Sequence, residues 1–493
     1  MNLADLCAGA PVRAIEGDGG TEVSDLAYDS RQVGHGSLFF CVRGASSDGH
    51  EFAPAAVAAG AAALVSERRL ELPVPQVLVE DARAAMPPLA ARFFRYPTSE
   101  LRLAGVTGTN GKTTTAFLTR RALEACGVQC GLLGTVKRIV GGEQEEAVRT
   151  TPEAIDLQRT FRRMLAGGDA ACAMEISSHA LVLGRVDEVQ VAAAAFTNLT
   201  QDHLDFHADM EDYYAAKRLL FTGAEGRREP PAVSAINVDD PYGRRLLAEL
   251  EGVPTRLLSF SAGGREADLT AAGVSFDASG TRFALVGDRE IGVELPLPGH
   301  FNVENALAAL ALAAGLGLDL AAAAAALRGA EPVPGRLEPI AEGQPFAVLV
   351  DYAHTPDSLD SVLAAARRLT DGRLITVFGC GGDRDRAKRP LMGASAATRS
   401  DLAIVTSDNP RSEPPAAILD DILAGIDDRS GVRVEQDRRA AIALALGEAQ
   451  DGDLVLIAGK GHEQGQEFES GRKIPFDDRD VAREELRRLA AAA

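Results

Sequence analysis

The stretch GVTGTNGKTTT, residues 105–115, follows the apolar run LRLA and leads into AFLTRRALEA, so its glycines, lysine and threonines lie between a strand-like and a helix-like segment. A strand, a glycine loop and a helix in that order turn backbone N–H groups and the helix N-terminus toward one point, where they can cradle phosphate. The commonest phosphate loop, G-x-x-x-x-G-K-[ST], needs glycine at 106, where this chain has Val106. What remains is Gly105, Gly108 and Gly111 followed by Lys112 and Thr113. Lys112 can neutralise β/γ oxygens and Thr113 can ligate Mg²⁺. A glycine-rich turn with a solvated lysine is the alternative, and it leaves the order of the parts unexplained.

Outward from this loop, apolar runs of strand length (LRLAGV, ACAMEI, AAAAFTNL, SAINV) alternate with helical stretches to about residue 330. That is the pattern of a parallel sheet covered on both faces. Upstream, SDLAYDSR, GSLFFCV and FAPAAVAAGAAALVSE form a smaller α/β pattern that closes near RYPTSE. Beyond the connector PVPGR, 332–336, the runs FAVLVDYA, LITVFG, DLAIVTSD and DLVLIAG again read as buried strands separated by helices. The expected architecture is α/β throughout, with domains at 1–98, 99–331 and 332–493. The middle domain carries the phosphate loop on a parallel sheet, the last is doubly wound, and the connector is a candidate hinge.

Composition narrows the partners. Of 493 residues, 51 are basic and 71 acidic, a net charge of −20 that disfavours nucleic acid and anionic membrane surfaces. An anionic ligand must therefore be caught locally. The six cysteines form no C-x-x-C pair, so neither a disulfide framework nor a structural zinc site is expected, and a reducing cytoplasm is the expected compartment. The N-terminus has no basic stretch followed by an apolar run. ALAALALAAGLGLDLAAAAAAL, 306–327, is long enough to mimic a membrane span, but its alanines, Gly-Leu-Gly break and Asp319 predict two soluble helices, the second N-capped by Asp319.

Several apolar runs end in a polar group: Glu175 after ACAM, Asn198 after AAAAFT, Asp351 after FAVLV and Asp408 after DLAIVTS. The carboxyl ends of strands form the ligand crevice of doubly wound sheets, although any one of these residues could instead cap the next helix. His179, His203, His207, His300, His354 and His462 also fall in short polar stretches beside strands. None has a zinc-site spacing, so a hard metal arriving with ATP is preferred.

The motifs GTNGKTT, TTPE, EISSHAL, NLTQDHLDFH, YYAAKRLLF, GHFNVENALAA, DYAHTPDSL, GCGGDRDRAKRP, SDNPRSE and GKGHEQ, in this order, resemble the Mur ligases of peptidoglycan synthesis over essentially the whole chain. The resemblance implies a UDP-binding first domain, a central ATPase domain with a P-loop-type sheet and a Rossmann-like last domain carrying the incoming amino acid. It identifies GTNGK[TS] as the family's own phosphate loop. The phosphate activates a carboxylate, because an acyl phosphate has the leaving group that a carboxylate lacks.

By residue, the resemblance implies ATP contacts from Gly108, Thr109, Asn110, Gly111, Lys112, Thr113 and Thr114, with Asn302, Asn305, Arg336 and Asp351 meeting adenine and ribose. Thr113 and Glu175 would ligate a first Mg²⁺ and His203 a second. Lys217 matches the family's carbamylated lysine, whose anion organises Mg²⁺ near the transferring phosphoryl group. Without the resemblance, Lys217 reads as a solvated helix lysine. Ser30, Arg31, Thr150, Thr151, Ser177 and Arg185 would bind UDP-N-acetylmuramoyl-L-alanyl-D-glutamate, and Arg149 stands where relatives often carry Asn.

The third substrate is read from SDNPRSE, 407–413. Members that add meso-diaminopimelate carry Asp-Asn-Pro-Arg, and a planar guanidinium can grip that molecule's distal carboxylate in two places. L-lysine has no such carboxylate. Arg411 would make this grip, with Arg384, Asp408, Asn409, Pro410, Gly459 and Glu463 completing the site by motif position. A structural role for Arg411, capping or pairing, is its alternative. Competing readings are an L-lysine-adding ligase, a folylpolyglutamate synthase-like ligase, and a nucleotide-gated binding protein that turns over ATP without an amino acid. A monomer is expected.

Overall fold

The computed structural model describes residues 1–44, 47–224, 226–277 and 279–492. Among the described residues the strands form sheets of five, eleven and six members and one two-stranded hairpin.

In the first sheet, Asp25–Ala27, Ser37–Phe40, Ala63–Ser66 and Gln76–Val79 run parallel, and Val12–Glu16 closes the edge antiparallel to Gln76–Val79. The helix Ala82–Phe93 starts at Asp81, whose carboxylate accepts from the Arg83 and Ala84 N–H groups. Its Met86 and Leu89 pack with Leu38, Phe40, Val65 and Val77. Ala154 and Ile155, at the start of the helix Ala154–Ala166, enter the same cluster, and the Tyr28 hydroxyl donates to Asp156 at 2.6 Å. The first unit is thereby seated on the second.

The central sheet is built around Arg102–Thr107, with Ala171–Glu175 and Cys130–Leu133 on one side and Ala193–Phe196, Val233–Asn237 and Arg256–Ser261 on the other, all parallel. Four of these, Arg102–Thr107, Ala171–Glu175, Ala193–Phe196 and Val233–Asn237, are the strands the apolar runs predict; Cys130–Leu133 and Arg256–Ser261 are additional. The sheet goes further than expected, because antiparallel strands extend both margins: Gly280–Val286 and Glu290–Leu295 beyond Leu269–Asp277, and Lys137–Val140 and Glu143–Glu146 beyond Cys130–Leu133. Marginal strands with a solvated face carry mixed polar sequence and leave no apolar run to find. Lys112–Ala125 and His300–Gly315 lie together on one face, and the His300–Gly315 helix is followed by Leu320–Ala326, N-capped by Asp319 at 2.7 Å as expected. Among the described residues no helix is long and apolar enough to cross a membrane.

The last sheet runs Glu338–Pro339, Ala347–Asp351, Leu454–Ala458, Leu374–Phe378, Leu402–Val405, Val432–Val434, parallel except at the first pair. Helices cover both faces: Pro356–Arg367, Lys388–Arg399 and Pro415–Leu423 on one, Arg438–Glu448 and Asp478–Ala492 on the other. The connector brings this unit onto the phosphate loop. Arg336 Nη2 donates to Thr113 Oγ1 at 3.2 Å, Asn110 Nδ2 to Asp357 at 2.9 Å, and Gln201 Nε2 to Asp385 at 2.9 Å.

Candidate active site

A cavity of about 540 Å³ opens at the carboxyl ends of the central strands, between the phosphate loop and the segment around 351–362. This is the crevice position typical of parallel sheets. Gly108 and Gly111 have φ of +151° and +86°, and a Cβ at either would collide with Thr197 Oγ1 or Asn305 Oδ1 respectively, so both positions require glycine. Asn198, at its strand end, accepts from the Asn110 N–H at 2.8 Å and so fixes the loop. Thr109, Asn110, Gly111, Lys112, Thr113 and Thr114 all line the cavity, while Gly108 turns its carbonyl toward two lysines.

Lys112 Nζ donates to the Gly108 and Thr109 carbonyls at 3.0 and 2.9 Å. Burial pushes its pKa down, against the pull of Glu175 and Asp202. Thr113 Oγ1 donates to Glu175 Oε2 at 3.0 Å, and the same carboxylate accepts from the N–H and hydroxyl of Thr135 at 2.7 and 3.0 Å. Hydroxyls and a buried carboxylate converge here, an all-oxygen donor set that suits a hard cation such as Mg²⁺.

Lys217 belongs to the helix Met210–Thr222 and is 1% exposed, not solvated. Its Nζ donates to the Gly108 carbonyl at 2.8 Å and lies 4.5 Å from the Tyr213 ring centroid. Burial, reinforced by the charge of Lys112, holds its pKa well below the ordinary lysine range. Burial thus disfavours the ammonium relative to the neutral amine at this position.

His203, in the left-handed region at φ +57°, approaches Asp202 at 3.5 Å, and burial pushes its imidazole down to about 3. Asp202, which sequence reasoning quoted inside NLTQDH without a role, joins the two units: His354 and Lys388 approach it at 3.7 and 3.9 Å. Burial acts to raise its pKa, but His354, His203 and Lys388 outweigh burial and hold it well below the carboxylate range. His179 stacks on Phe206 at 4.0 Å and meets His203 edge-on at 5.0 Å.

Asn305, Arg336 and Asp351 line the cavity. Arg336 lies over the Tyr352 ring, and Asp351 accepts from the Leu337 and Ala353 N–H groups, both at 2.7 Å. Asn302 does not line it: its amide donates to the Pro298 carbonyl at 2.9 Å and its oxygen accepts from Asn305 at 3.0 Å. With its side chain turned toward the helix start, Asn302 braces Asn305 from behind. Glu304 does line the cavity and was missed; burial, then Asp239 and Asp357, push its carboxyl up to about 8.

Thr150 and Ser177 face the cavity. Thr151 lies behind them, donating to the Glu175 carbonyl at 2.9 Å and accepting from the Ser177 N–H at 3.1 Å. Arg185 donates to the Thr151 carbonyl and pairs with Glu153 at 2.9 Å, where Arg149 and Arg83 also converge at 2.6 and 3.2 Å. Ser30 and Arg31 form a single 3₁₀ turn, Ser30–Gln32, on the first unit; Arg31 pairs with Asp29 and is not brought to the cavity.

The residues expected to hold the amino acid form a second group at the strand ends of the last sheet. Asn409 Nδ2 donates to Glu463 at 2.8 Å, and Gly459 (φ +117°) passes so close to Asp408 that a Cβ would lie 2.7 Å from Oδ2. Pro410 turns its carbonyl against Gly382, and Arg384 stands 3.8 Å from Asp205 of the central unit. Arg411, at φ +52°, donates through Nε to Glu467 at 3.0 Å and through Nη1 to the Gly382 carbonyl at 2.8 Å. The guanidinium is therefore already paired, as its alternative reading held. Its Nη2 makes no hydrogen bond among the described residues. Lys460, which motif matching left without a role, sits completely buried beneath Asp408, Asn409 and Glu463.

The Mur ligase middle domain model matches residues 106–313, that of the Mur ligase glutamate ligase domain 335–461, and that of the Mur ligase family catalytic domain 22–94. The chain is 49% identical over 472 residues, 95% of its length and 94% of the relative's, to the UDP-N-acetylmuramoyl-L-alanyl-D-glutamate–2,6-diaminopimelate ligase of Solibacter usitatus. The enzyme of the same name from Geobacillus kaustophilus is 47% identical, with 98% and 99% covered. A solved structure of a ligase of that name superposes with a TM-score of 0.69 at 33% identity, covering 99% of both chains.

Proposed function

Because this chain belongs to the Mur ligase family, we propose that it is the ATP-dependent ligase that joins meso-2,6-diaminopimelate to UDP-N-acetylmuramoyl-L-alanyl-D-glutamate. The observation that carries the reading is that the phosphate loop and the buried Thr113–Glu175 pair open on a cavity whose far wall, around 351–362, belongs to the last unit, the same unit that bears the Asn409, Arg411 and Glu463 group at its strand ends. Residues 1–98 would hold the uridine-linked substrate, 99–331 ATP and 332–493 the amino acid. Action as a monomer is part of this reading. Its six free cysteines and nucleotide substrates suit a reducing cytoplasm.

In the reaction a glutamyl carboxylate oxygen attacks the γ-phosphorus of ATP, ADP leaves, and an acyl phosphate forms. The diaminopimelate amine then attacks the acyl carbon, inorganic phosphate departs, and the nitrogen loses its extra proton as the amide forms. Lys112 and the loop N–H groups bind and orient the phosphates, releasing the carbonyl contacts Lys112 makes here. Thr113 and Glu175 would hold Mg²⁺, which supplies neutralisation of phosphate charge, with His203 at a second ion. Lys217, buried where the ammonium is disfavoured, would react with CO₂ as the neutral amine, and its carbamate would add a negative group beside the loop. Closure of the last unit on the loop, through Arg336, Asn110 and Gln201, excludes water from the acyl phosphate. Mass spectrometry of the product tests the reading: an adduct of both substrates with loss of water is expected, and recovery of unchanged dipeptide substrate while ATP is consumed would reject it.

A further inference from the structure

Lys460 carries a charge that the proposed reaction leaves without a task. It is 0% exposed, so it meets no substrate, yet its Nζ lies 2.9 Å from Glu463 Oε2, 2.9 Å from Asn409 Oδ1 and 3.4 Å from Asp408 Oδ1. These are three of the groups assigned above to the amino acid. Behind them the buried pair Arg438–Asp478 closes on itself at 2.7 Å, with Arg438 also donating to the Ala458 carbonyl. Beside them, Arg411 and Glu467 form their own pair. Lys460 is thus the cation that Asp408 and Glu463 share.

We propose that Lys460 is a positioning residue whose buried Nζ holds Asp408, Asn409 and Glu463 together, building a receptor for the distal ammonium of the amino-acid substrate. The inference rests on the proposed function and assigns the pocket's ammonium end. One Nζ hydrogen-bonded to all three groups fixes their spacing, and the open part of Glu463 leaves it accessible to a substrate. Two carboxylates against one lysine leave, in formal charge, the complement of a single substrate cation. Arg411 beside the receptor offers the opposite charge, so the pocket matches a zwitterionic carbon bearing both groups. Asn409 ties the two parts together, since its Oδ1 accepts from Lys460 and from the Glu467 N–H at 2.9 Å each.

The other titratable groups facing this pair are Arg438 and Asp478 from behind, His354 and Tyr352 from the neighbouring strand end, and Arg411 and Glu467 at the side. None of them is altered when Lys460 is changed, so an effect confined to the diaminopimelate KM reports the groups that Lys460 holds.

The test is steady-state phosphate release by the full chain for wild type, Lys460→Gln and Lys460→Arg. Lys460→Gln should raise the KM for diaminopimelate ~30-fold, with kcat and the KM values for ATP and the UDP substrate changed less than ~3-fold. Lys460→Arg, which keeps a buried donor to the same acceptors, should restore most of the affinity. If Lys460→Gln does not fold, K460Q/E463Q compared with Glu463→Gln carries the test: with Glu463 already changed, loss of Lys460 should raise the diaminopimelate KM by no more than ~3-fold further, and a full additional rise would overturn the proposal. A diaminopimelate KM within about twofold of wild type in Lys460→Gln, or one that rises in step with the KM for ATP, overturns the proposal. Absence of diaminopimelate-dependent release in the wild type would instead reject the functional reading.

Discussion

Lys217 Nζ and the carbonyl oxygen of Gly108 meet at 2.8 Å across 109 positions of sequence, placing a buried amine, shifted by that burial toward its neutral form, against the phosphate loop. The helix Met210–Thr222 delivers the lysine, and the positive φ of Gly108 presents the carbonyl. An amine held neutral by burial is the form that adds to CO₂, whereas a solvated ammonium is not.

Lys217→Ala should therefore lower kcat by about 10²–10³-fold while leaving the KM for ATP within a few-fold. Added formate or acetate should restore part of the rate by occupying the space of the missing carbamate. Full activity of the variant without any additive would remove the role.

Removal of Mg²⁺ by chelation should abolish turnover. Glu175→Gln, which keeps the shape and the Thr135 contacts but not the charge, should raise the Mg²⁺ concentration for half-maximal rate by ~10-fold. A Mg²⁺ titration of this variant that superposes on the wild type would place the ion elsewhere.

Arg411→Ala should cost ~100-fold in kcat/KM for diaminopimelate, about 2.7 kcal/mol, because a distal carboxylate loses its charged partner. L-lysine, lacking that carboxylate, should be affected far less, so the ratio of the two specificity constants is the readout. An unchanged ratio would make the Arg411–Glu467 pair purely structural.

Acid should destabilise the fold before the carboxylates titrate. Burial pushes His179 down to about 4 and His462 to about 3, so both stay neutral in the native chain while the unfolded chain protonates them near 6.5. Their stabilisation is complete above pH 6.5 and is lost as pH falls toward the native values. Between pH 7.5 and 5.5 the two together should remove about 1–2 kcal/mol after allowance for solvent access. Thermal melts of the His179→Gln, His462→Gln double variant should show a shallower slope over that window; an equal slope would assign it to other groups.

The phosphate loop was legible because its chemistry is local: Gly108, Gly111, Lys112 and Thr113 lie within six positions and work through backbone geometry. Glu175 and Asp351 were legible as polar ends of apolar strands. Lys217 was visible only through resemblance, since a lysine on a helix gives no local sign of burial. Asp202 and Lys460 acquire their meaning from partners far along the chain, His354 and Asp408. The Arg411–Glu467 pair depends on the short hairpin Gly465–Glu467 with Lys473–Pro475, too brief and polar to register as strands. The antiparallel margins of the central sheet escaped for a related reason: strands half open to water, such as Glu290–Leu295, lack a continuous apolar run.

The most direct measurement is phosphate release by the purified chain with Mg·ATP and UDP-N-acetylmuramoyl-L-alanyl-D-glutamate in three parallel reactions: meso-diaminopimelate, L-lysine or no amino acid. Release that depends on diaminopimelate, and is far slower with lysine or with no addition, is the predicted result. Equal release in all three would contradict the ligase account and point to a nucleotide-gated ATPase, while release with lysine alone would overturn the role given to Arg411.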